Sequence, residues 1–414
     1  MNVAMFSDCY FPRVNGVVVS IHSYAKELLN RGHRICIVTV EYPEEYGFGN
    51  GIDSTGGMID DPNFSVVRIP SQSIIFSKED RLARLDKWHF VKKHMDKFEP
   101  DVIHINSEWL VGYFGAMYAR HRHIPCIFTF HTMWEDYIQN YAPILNKKIS
   151  HKIGRDLVKF YLKSSDHILA PTPRIIDVVK EYGVDTQVDL LPTGIPEELF
   201  NYTEEDVAIV KKRIIEKWPV LRDRKILLFA GRIAKEKNLE FLLPVLSKVN
   251  EKLKGKDRAA LLVAGDGLYM DEFKALAEKH GIQDDVFFLG YIKRNNLAML
   301  YKVAHVFIFS SKTETQGLVT AEAMFAGLPV VAIGEMGTAD IMQGDHGGFM
   351  VAEDTEIFAD KVYKLLTDSN LHKAKSDEGK KWSQQWTMAS LTSRLEEAYK
   401  KCVILWKEKH DVSE

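Results

Sequence analysis

The stretch HVFIFSSKTETQGLVTAEAMFAGLPVVAI, residues 305–333, begins and ends with near-continuous apolar runs. Such runs are typical of strands that are covered on both faces of a sheet, and the small and apolar residues between them have the length of a helix. A strand, a helix and a second strand in this order form a βαβ unit, which joins parallel strands. The stretch therefore predicts an α/β fold with a parallel sheet.

The same alternation runs through the rest of the chain in two successive sets. The predicted strands of the first set are NVAMF, RICIVTV, SVVRI, DVIHIN, CIFTF, HILA and VDLLP, and those of the second are KILLFAGRI, AALLVAGDG, VFFLGYI, HVFIFSS, PVVAI and GGFMV. Between the sets lies a charged amphipathic segment without a strand, residues 201–225. We therefore predict two doubly wound Rossmann-like domains, 1–195 and 196–385, whose strand ends face a ligand-binding cleft. Residues 386–414 form one long helix that could cross back to the first domain.

Length and composition agree with two ordinary globular domains. The chain has 414 residues, of which 46% are hydrophobic and 27% charged, and its net charge is −3. A charge this small provides no overall field for nucleic acid, so nucleic acid is not an expected partner. The four cysteines are scattered, which indicates free thiols in a reducing compartment. Because neither a signal peptide nor an apolar run of ~18 residues is present, we expect a cytoplasmic protein that lies at most on a membrane surface.

Two glutamates stand eight positions apart in the opening stretch. Glu314 lies in the loop after a strand, and Glu322 lies in a helix that should begin near Gly317. The unpaired amides of that helix start, from about Gln316 to Val319, form an anion site. A carboxylate accepts hydrogen bonds from two vicinal hydroxyls, so one glutamate could bind a sugar and the other a ribose. In the alternative interpretation, Glu322 is a polar residue on a half-exposed helix face.

Two cations follow the first strand of the second set, in the segment FAGRIAKEKNLEFLLP. Arg232 and Lys237 lie across a strand-to-helix turn, where a Rossmann-like domain holds a pyrophosphate. No Asp-x-Asp triplet occurs that would hold a divalent metal on a nucleotide-sugar. Protein cations are then expected to neutralise the diphosphate without metal. The alternative is a solvated basic turn.

Three further positions in the first set admit both a functional and a structural interpretation. Gly16 lies in the turn PRVNG before the first helix, where it either permits a ligand to approach the backbone or only shapes the turn. His131 and His104 each end a strand. Either histidine could face the cleft or be a structural residue.

The motifs together resemble the retaining glycosyltransferases of family four, which have the two-Rossmann-domain GT-B fold. The matching segments cover nearly all of the chain: YFPRVNGVVVSIHSYAKELLNRGH, DVIHINSEW, FHTMWEDYIQNY, PTGI, GRIAKEKN, VAGDG and ETQGLVTAEAMFAGLPVVA. Glu314 and Glu322 match the E-x7-E signature of this family. The segments TETQGL and FHTMWEDY resemble a narrower bacterial branch that transfers glucose or galactose from a UDP-sugar to diacylglycerol or glucosyl-diacylglycerol.

The resemblance implies a role for each matching position. Glu314 and the backbone of Gln316, Gly317 and Leu318 would contact the donor sugar and phosphate, and Glu322 would hold the ribose. The resemblance assigns the leaving diphosphate to Arg232 and Lys237, an amide contact to Gly16 and a sugar contact to His131. It also implies an acceptor-binding first domain, a nucleotide-sugar-binding second domain, retention of the anomeric configuration and no metal cofactor.

One departure from the branch concerns the acceptor. The tyrosine common after His-Thr-x in lipid-acting relatives is replaced by Trp134, and IQNY replaces a more usual ending. These positions lie toward the acceptor in the family, so they bear on the acceptor's identity.

A basic amphipathic segment, NKKISHKIGRDLVKFYLKSSD, predicts contact with an anionic membrane. Its cations are Lys147, Lys148, Lys152, Arg155, Lys159 and Lys163. The alternative is a surface helix whose apolar face packs on the sheet. With the branch resemblance, the segment predicts peripheral association with the inner face of the plasma membrane.

Three functions remain open at this point. The first is a peripheral membrane UDP-glycosyltransferase with a lipid acceptor. The second keeps the enzyme but gives it a soluble or polyprenyl-linked saccharide as acceptor. The third is a sugar-nucleotide-binding protein without catalysis, which the complete set of charged site residues disfavours.

Overall fold

A computed structural model of the chain describes residues 1–13, 15–43, 59–74, 77–131, 147–253, 258–314 and 316–410, with the backbone alone at 77–79 and 147–151. The chain divides into two compact units. The first consists of Met1–Thr193 and Met388–Glu414, and the second of Gly194–Thr387.

The first unit contains a seven-stranded sheet in which every neighbouring pair is parallel. Its strands, in chain order, are Asn2–Phe6 (β1), Arg34–Val40 (β2), Phe64–Ile69 (β3), Val102–Ile105 (β6), Cys126–Thr129 (β7), His167–Ala170 (β8) and Val188–Leu190 (β9). All of them were predicted from the apolar runs. The order across the sheet is β3-β2-β1-β6-β7-β8-β9.

Helices connect these strands. They are Gly16–Asn30 (α1), Trp88–Phe98 (α2), Leu110–Arg122 (α3), Lys147–Ser164 (α4) and Pro173–Glu181 (α5). Their apolar side chains form two buried clusters with the strands. This packing accounts for the continuous apolar character of the strands.

A short antiparallel hairpin in the first unit was not predicted. It pairs Ser71–Ile74 (β4) with Ser77–Ala83 (β5). The sequences SQSI and SKEDRLA are polar and do not alternate, so they lack the hydrophobic period by which strands are recognised.

The second unit contains a six-stranded parallel sheet, again from strands that were all predicted. The strands are Lys225–Ala230 (β10), Ala259–Ala264 (β11), Val286–Gly290 (β12), Val306–Phe309 (β13), Val330–Ile333 (β14) and Gly348–Val351 (β15). The helices are Glu204–Lys217 (α6), Leu242–Leu253 (α7), Met270–Lys279 (α8), Arg294–Val303 (α9), Leu318–Phe325 (α10), Met336–Met342 (α11), Thr355–Thr367 (α12) and Ser369–Ser383 (α13). The two parallel sheets confirm the predicted fold class.

The last helix, Met388–Lys409 (α14), belongs to the first unit. Leu391, Leu395 and Tyr399 lie in the same buried cluster as Val3 and Met5 of β1. The hydroxyl of Tyr399 also lies 2.8 Å from Nδ1 of His104. The chain therefore passes between the units twice.

Both passages begin at one place in the second unit. Ile195 and Thr387 form a parallel β-bridge, and the amide of Ile195 donates to the carbonyl of Trp386 at 2.7 Å. The two connecting segments therefore leave the second unit side by side.

No helix within the described parts of the chain is both long and apolar enough to cross a membrane. The longest ones, α4 and α14, each carry several charged residues.

The strand order of the second unit reverses between β10 and β13. Across the sheet it is β12-β11-β10-β13-β14-β15, so the chain moves outward from this central pair in both directions. Where a doubly wound sheet reverses in this way, the loops after the two strands diverge and leave a crevice at their carboxyl ends. The loops that carry Lys237 and Glu314 follow these two strands.

Gly317 caps α10 in the left-handed region, at φ 63°. A Cβ at this position would lie 2.6 Å from the carbonyl oxygen of Gly337. The amide of Gly337 donates to the carbonyl of Glu314 at 2.8 Å, so the two segments are held together. The position requires glycine for both its dihedral angle and its space.

We expect Gly317→Ala to lower the free energy of unfolding of the second unit by more than its dihedral angle alone would cost. A left-handed alanine costs ~1–2 kcal/mol. Moving the Gly337 backbone away from a new Cβ adds a further ~1–3 kcal/mol. Chemical denaturation followed by intrinsic fluorescence measures the loss.

The matched control is Gly281→Ala. Gly281 has a φ of 66°, but a Cβ built on it meets no atom of the described part of the chain within 4 Å, so only the dihedral cost applies. Equal losses of stability in the two variants would contradict the close contact at Gly317.

Candidate functional site

An ion pair joins the two loops at the strand reversal of the second unit. Nζ of Lys237 lies 2.5 Å from Oε1 of Glu314, and their side chains are only 14% and 20% exposed. The residues are 77 positions apart in the chain. Because both are partly buried, solvent screens this pair less than an exposed one.

Backbone contacts hold the Lys237 turn against the Glu314 loop. The hydroxyl of Ser310 donates to the carbonyl of Lys237 at 3.1 Å, and that of Thr313 donates to the carbonyl of Glu236 at 3.4 Å. Lys237 ends a short 3₁₀ turn. The loop that carries Glu314 therefore holds the backbone of Lys237 in place.

A second carboxylate, Glu353, connects the same two loops from outside. It accepts a hydrogen bond from Asn238 at 2.7 Å and one from Lys312 at 2.8 Å. The Lys312 bond, followed by that of Asn238, lowers the pKa of Glu353. The sequence interpretation missed Glu353, because a single acid after a strand carries no signal of such contacts.

Arg232 follows β10 as expected but does not contact Lys237 or Glu314 through any hydrogen bond of the described residues. Its guanidinium lies 2.6 Å from Oε1 of Glu236, and its side chain is 69% exposed. An exposed pair of this kind contributes little to stability, so Arg232 can exchange its partner readily.

The start of α10 lies beside this ion pair in the sequence. The helix begins at Leu318 after the Gly317 cap, close to the predicted start, and Gln316 precedes it. Its first helical hydrogen bonds run from Thr320 and Ala321 to the carbonyl of Gly317. The amides of Leu318 and Val319, which precede these two donors, thus have no acceptor within the helix, as an anion site requires.

Glu322 is buried in the same helix, at 7% side-chain exposure. Its Oε1 accepts from Arg294 at 2.5 Å and its Oε2 from the hydroxyl of Tyr301 at 3.2 Å. It is therefore not a polar residue on a half-exposed face. The sequence interpretation missed Arg294, because the segment KRNN is typical of a solvated basic turn.

In the first unit, Gly16 is the first residue of α1. Asn15 caps this helix by accepting from the amide of Val18 at 2.9 Å. A Cβ at Gly16 would meet no atom of the described residues within 4 Å, and its φ lies outside the left-handed range. The turn itself therefore does not require glycine, which favours the ligand interpretation over the structural one.

The two strand-end histidines differ in their surroundings. His104 is buried, and its ring nitrogens lie 2.8 Å from the hydroxyl of Tyr399 and 2.7 Å from that of Thr129. Burial lowers its pKa to about 3, so His104 is a structural residue. His131 remains partly exposed, and desolvation lowers its pKa to about 4. Trp134 lies outside the described residues.

The second unit thus brings an ammonium group, two carboxylates and a helix start to the carboxyl ends of β10 and β13. The cation and the amides suit a phosphate, and the carboxylates suit sugar hydroxyls. Within the described ranges, no group of three or more His, Cys, Asp or Glu residues is arranged to hold a metal ion.

Comparison with known proteins finds relatives along most of the chain. The alpha-monoglucosyldiacylglycerol synthase of Streptococcus pneumoniae is 32% identical over 338 residues, which is 81% of this chain and 71% of that protein. The alpha-monoglucosyldiacylglycerol synthase of Acholeplasma laidlawii is 30% identical over 344 residues, 80% of each chain.

Solved structures resemble the fold at low sequence identity. The Anabaena protein HepE in complex with UDP and glucose matches with a TM-score of 0.68 at 14% identity, over 97% of this chain and 99% of that one. Sucrose-phosphate synthase from Thermosynechococcus elongatus matches with a TM-score of 0.67 at 19% identity, over 96% and 98%.

Two family models cover most of both units. Residues 14–199 match the model described as Glycosyltransferase Family 4, and residues 210–382 match that described as Glycosyl transferases group 1. Together with the relatives at 30% and 32% identity, these matches establish the family to which the chain belongs. The chain is a glycosyltransferase of family four with the GT-B fold, and it resembles the diacylglycerol glucosyltransferase branch of that family.

Proposed function

We propose that this glycosyltransferase moves a hexose, glucose in the first place, from a UDP-sugar to a lipid acceptor such as diacylglycerol or glucosyl-diacylglycerol. The observation that carries the proposal is the Lys237–Glu314 pair at the strand reversal of the second unit. The two relatives named as monoglucosyldiacylglycerol synthases support the choice of sugar and acceptor.

The cations of the second unit would stabilise the leaving diphosphate. Lys237 has three donors and uses one on Glu314, so it can bind a phosphate oxygen without leaving its partner. Arg232, which is exposed and weakly held, would turn from Glu236 to the diphosphate. Positive charge held in place before the reaction lowers the energy of a transition state in which negative charge develops.

The two carboxylates would bind hydroxyls. Glu314 would accept from the hexose and Glu322 from the ribose of the nucleotide. The backbone of Gln316, Gly317 and Leu318, at the start of α10, would contact the sugar and the phosphate. Gly16 would add an amide contact.

The transfer would retain the anomeric configuration by attack from the front face. The acceptor hydroxyl oxygen bonds to the anomeric carbon while the bond from that carbon to the diphosphate oxygen breaks. The hydroxyl proton passes to the departing phosphate, so no protein nucleophile is required. His131, which the family resemblance assigns to the sugar, is neutral at pH 7 and adds no charge.

One helix of the first unit fits a membrane-binding surface. On α4, Val158, Tyr161 and Leu162 are buried against the sheet, whereas Ile153 and Phe160 are 44% and 40% exposed. Those two side chains are seven residues apart and thus lie on one face. The helix therefore exposes an apolar strip, which consists of Ile153 and Phe160.

Cations and a further aromatic ring border this apolar strip. The exposed cations Lys152 and Lys163 lie on the same helix beside this strip, as does the exposed Asp156, whereas the guanidinium of Arg155 lies 5.3 Å from the centre of the Tyr182 ring. The ring of Tyr113 on α3 lies 5.8 Å from that of Phe160. Basic residues beside exposed apolar side chains suit an anionic leaflet, as on the inner face of a plasma membrane. The side chains of Lys147 and Lys148 lie outside the described residues.

An assay of donors against acceptors tests the proposed reaction. We expect UDP-glucose with diacylglycerol or glucosyl-diacylglycerol in vesicles to yield an α-linked product of the mass of one added hexose, and EDTA to leave the rate unchanged. Mass spectrometry and the anomeric proton coupling in NMR identify the product.

Other results of this assay separate the alternatives. Transfer to a soluble or polyprenyl-linked saccharide with no lipid product would favour the second acceptor class. UDP binding without transfer to any acceptor would indicate a non-catalytic protein, and loss of activity in EDTA would refute metal independence.

We expect Lys237→Ala to lower turnover roughly 10- to 150-fold, because a charged hydrogen bond of ~1.5–3 kcal/mol to the leaving group is lost. The measurement is the initial rate at saturating donor. The control is Lys235→Ala, which removes an exposed cation from the same turn and should retain the wild-type rate. Similar rates in all three proteins would refute the role of Lys237.

Replacing Lys152, Arg155 and Lys159 by glutamate should release the protein from anionic vesicles. Each cation near the surface contributes ~1 kcal/mol, so loss of three weakens binding by more than a hundredfold. Flotation with vesicles of anionic and neutral lipid measures the effect, and the affinity for UDP should not change.

The control for this variant is the replacement of Lys211, Lys212 and Arg213 by glutamate. These exposed cations lie on α6 of the second unit, and their reversal changes the net charge equally. Flotation that falls equally in both variants would show an effect of overall charge rather than of α4.

A further inference from the structure

The carboxylate of Glu322 has an unusual setting for a group that is to bind a ligand. Its side chain is 7% exposed, yet both of its oxygens already accept a hydrogen bond from the protein. A buried carboxylate is stable in its charged form only if a cation and hydrogen bonds replace its lost hydration. The residues that supply these contacts therefore determine the state in which Glu322 meets a ligand.

Both donors come from one helix, α9. Arg294 is its first residue and Tyr301 is seven positions later, so the two side chains lie on the same face. Arg294 donates to Oε1 at 2.5 Å and Tyr301 donates to Oε2 at 3.2 Å. Two anchored oxygens fix the plane of the carboxylate.

Among the described residues, few charged groups act on this cluster. Arg294 is the cation that faces Glu322, Tyr301 is 1% exposed, and Glu198 acts on Arg294 from a neighbouring segment. Burial lowers the pKa of Arg294, but the charge of Glu322, its hydrogen bond, and the smaller contributions of Tyr301 and Glu198 together outweigh burial, so the pKa of the guanidinium is raised. Burial, followed by Glu322, raises the pKa of Tyr301 well above its usual range, so the phenol stays neutral and donates.

The carboxylate retains free capacity in this arrangement. An ionised carboxylate has about four acceptor positions, and the two protein donors use two of them. One position on each oxygen remains, which matches a pair of vicinal hydroxyls. Arg294 and Tyr301 therefore need not leave when a ribose arrives.

We propose that Arg294 is a positioning residue for the nucleotide, which keeps the buried carboxylate of Glu322 ionised and aligned for the two ribose hydroxyls. The inference rests on the proposed function, because it assumes that Glu322 binds the ribose. The inference adds Arg294, a residue of α9, to the proposed donor site. Arg294 would act on the nucleotide indirectly, by positioning Glu322 of α10.

The test is the pH dependence of UDP affinity in Arg294→Gln, with Arg294→Met as a second variant of the same kind. Glutamine retains an N–H donor but loses the charge. Without its cation, the buried carboxylate takes up a proton at higher pH than in the wild type. A protonated carboxyl accepts hydroxyl hydrogen bonds poorly, so affinity falls as the pH falls.

We expect calorimetry to give a ratio of variant to wild-type Kd that is at least about tenfold larger at pH 5.5 than at pH 8. Taking the ratio at each pH cancels the titration of the UDP phosphate itself. Arg294→Lys retains the charge, and its ratio should be nearly independent of pH.

Two controls assign the effect to the pair. In Arg294→Gln with Glu322→Gln the acceptor cannot titrate, so the pH dependence of the ratio should vanish. Lys293→Met removes an exposed cation at the neighbouring position and should bind UDP as the wild type does at every pH.

A Kd ratio that is the same at every pH in Arg294→Gln and Arg294→Met would overturn the inference, since a purely structural role weakens binding uniformly. A wild-type protein that binds no UDP at any pH would instead refute the proposed function. Thermal melting of each variant verifies that the folded protein is being measured.

Discussion

The contact between Lys237 and Glu314 depends on the order of strands in the second sheet. Because the chain moves outward from β10 in one direction and from β13 in the other, the loops after these strands are neighbours although 77 residues separate them. Opposite charges meet there at 2.5 Å. Without a ligand, each group compensates the other, so a partly buried cation and a partly buried anion coexist without a counterion from solvent.

Three ion pairs of the candidate site in the second unit, Lys237–Glu314, Arg294–Glu322 and Arg232–Glu236, differ in burial, and this difference suggests a division of roles. The Glu322–Arg294 and Lys237–Glu314 pairs are held by further hydrogen bonds, whereas Glu236, itself exposed, is the one partner of Arg232 among the residues that the structure describes. Groups that are fixed before binding lose little entropy when a ligand arrives. An exposed arginine can follow a leaving group as its charge develops.

Hydrophobic patterning predicted the strands of both sheets, because buried parallel strands are apolar along their whole length. It could not predict the β4–β5 hairpin, whose residues are polar, or the burial of Glu322 beside Arg294. The spacing of Glu314 and Glu322 was the sequence feature that predicted the site. Arg294, Tyr301 and Glu353 carried no such signal, since their contacts depend on which helix or loop the fold brings alongside.

The described donor-site contacts all lie within the second unit, from Arg232 to Glu353. The first unit contains His131, whose pKa burial lowers to about 4, and a helix, α4, on which Ile153 and Phe160 are exposed. The charged groups of the second unit suit the nucleotide and the diphosphate of the proposed donor. An uncharged acceptor with long acyl chains offers almost nothing to such groups. Recognition of the proposed lipid acceptor would therefore depend on apolar surface and on proximity to a membrane, and the exposed side chains of Ile153 and Phe160 in the first unit suit such a role.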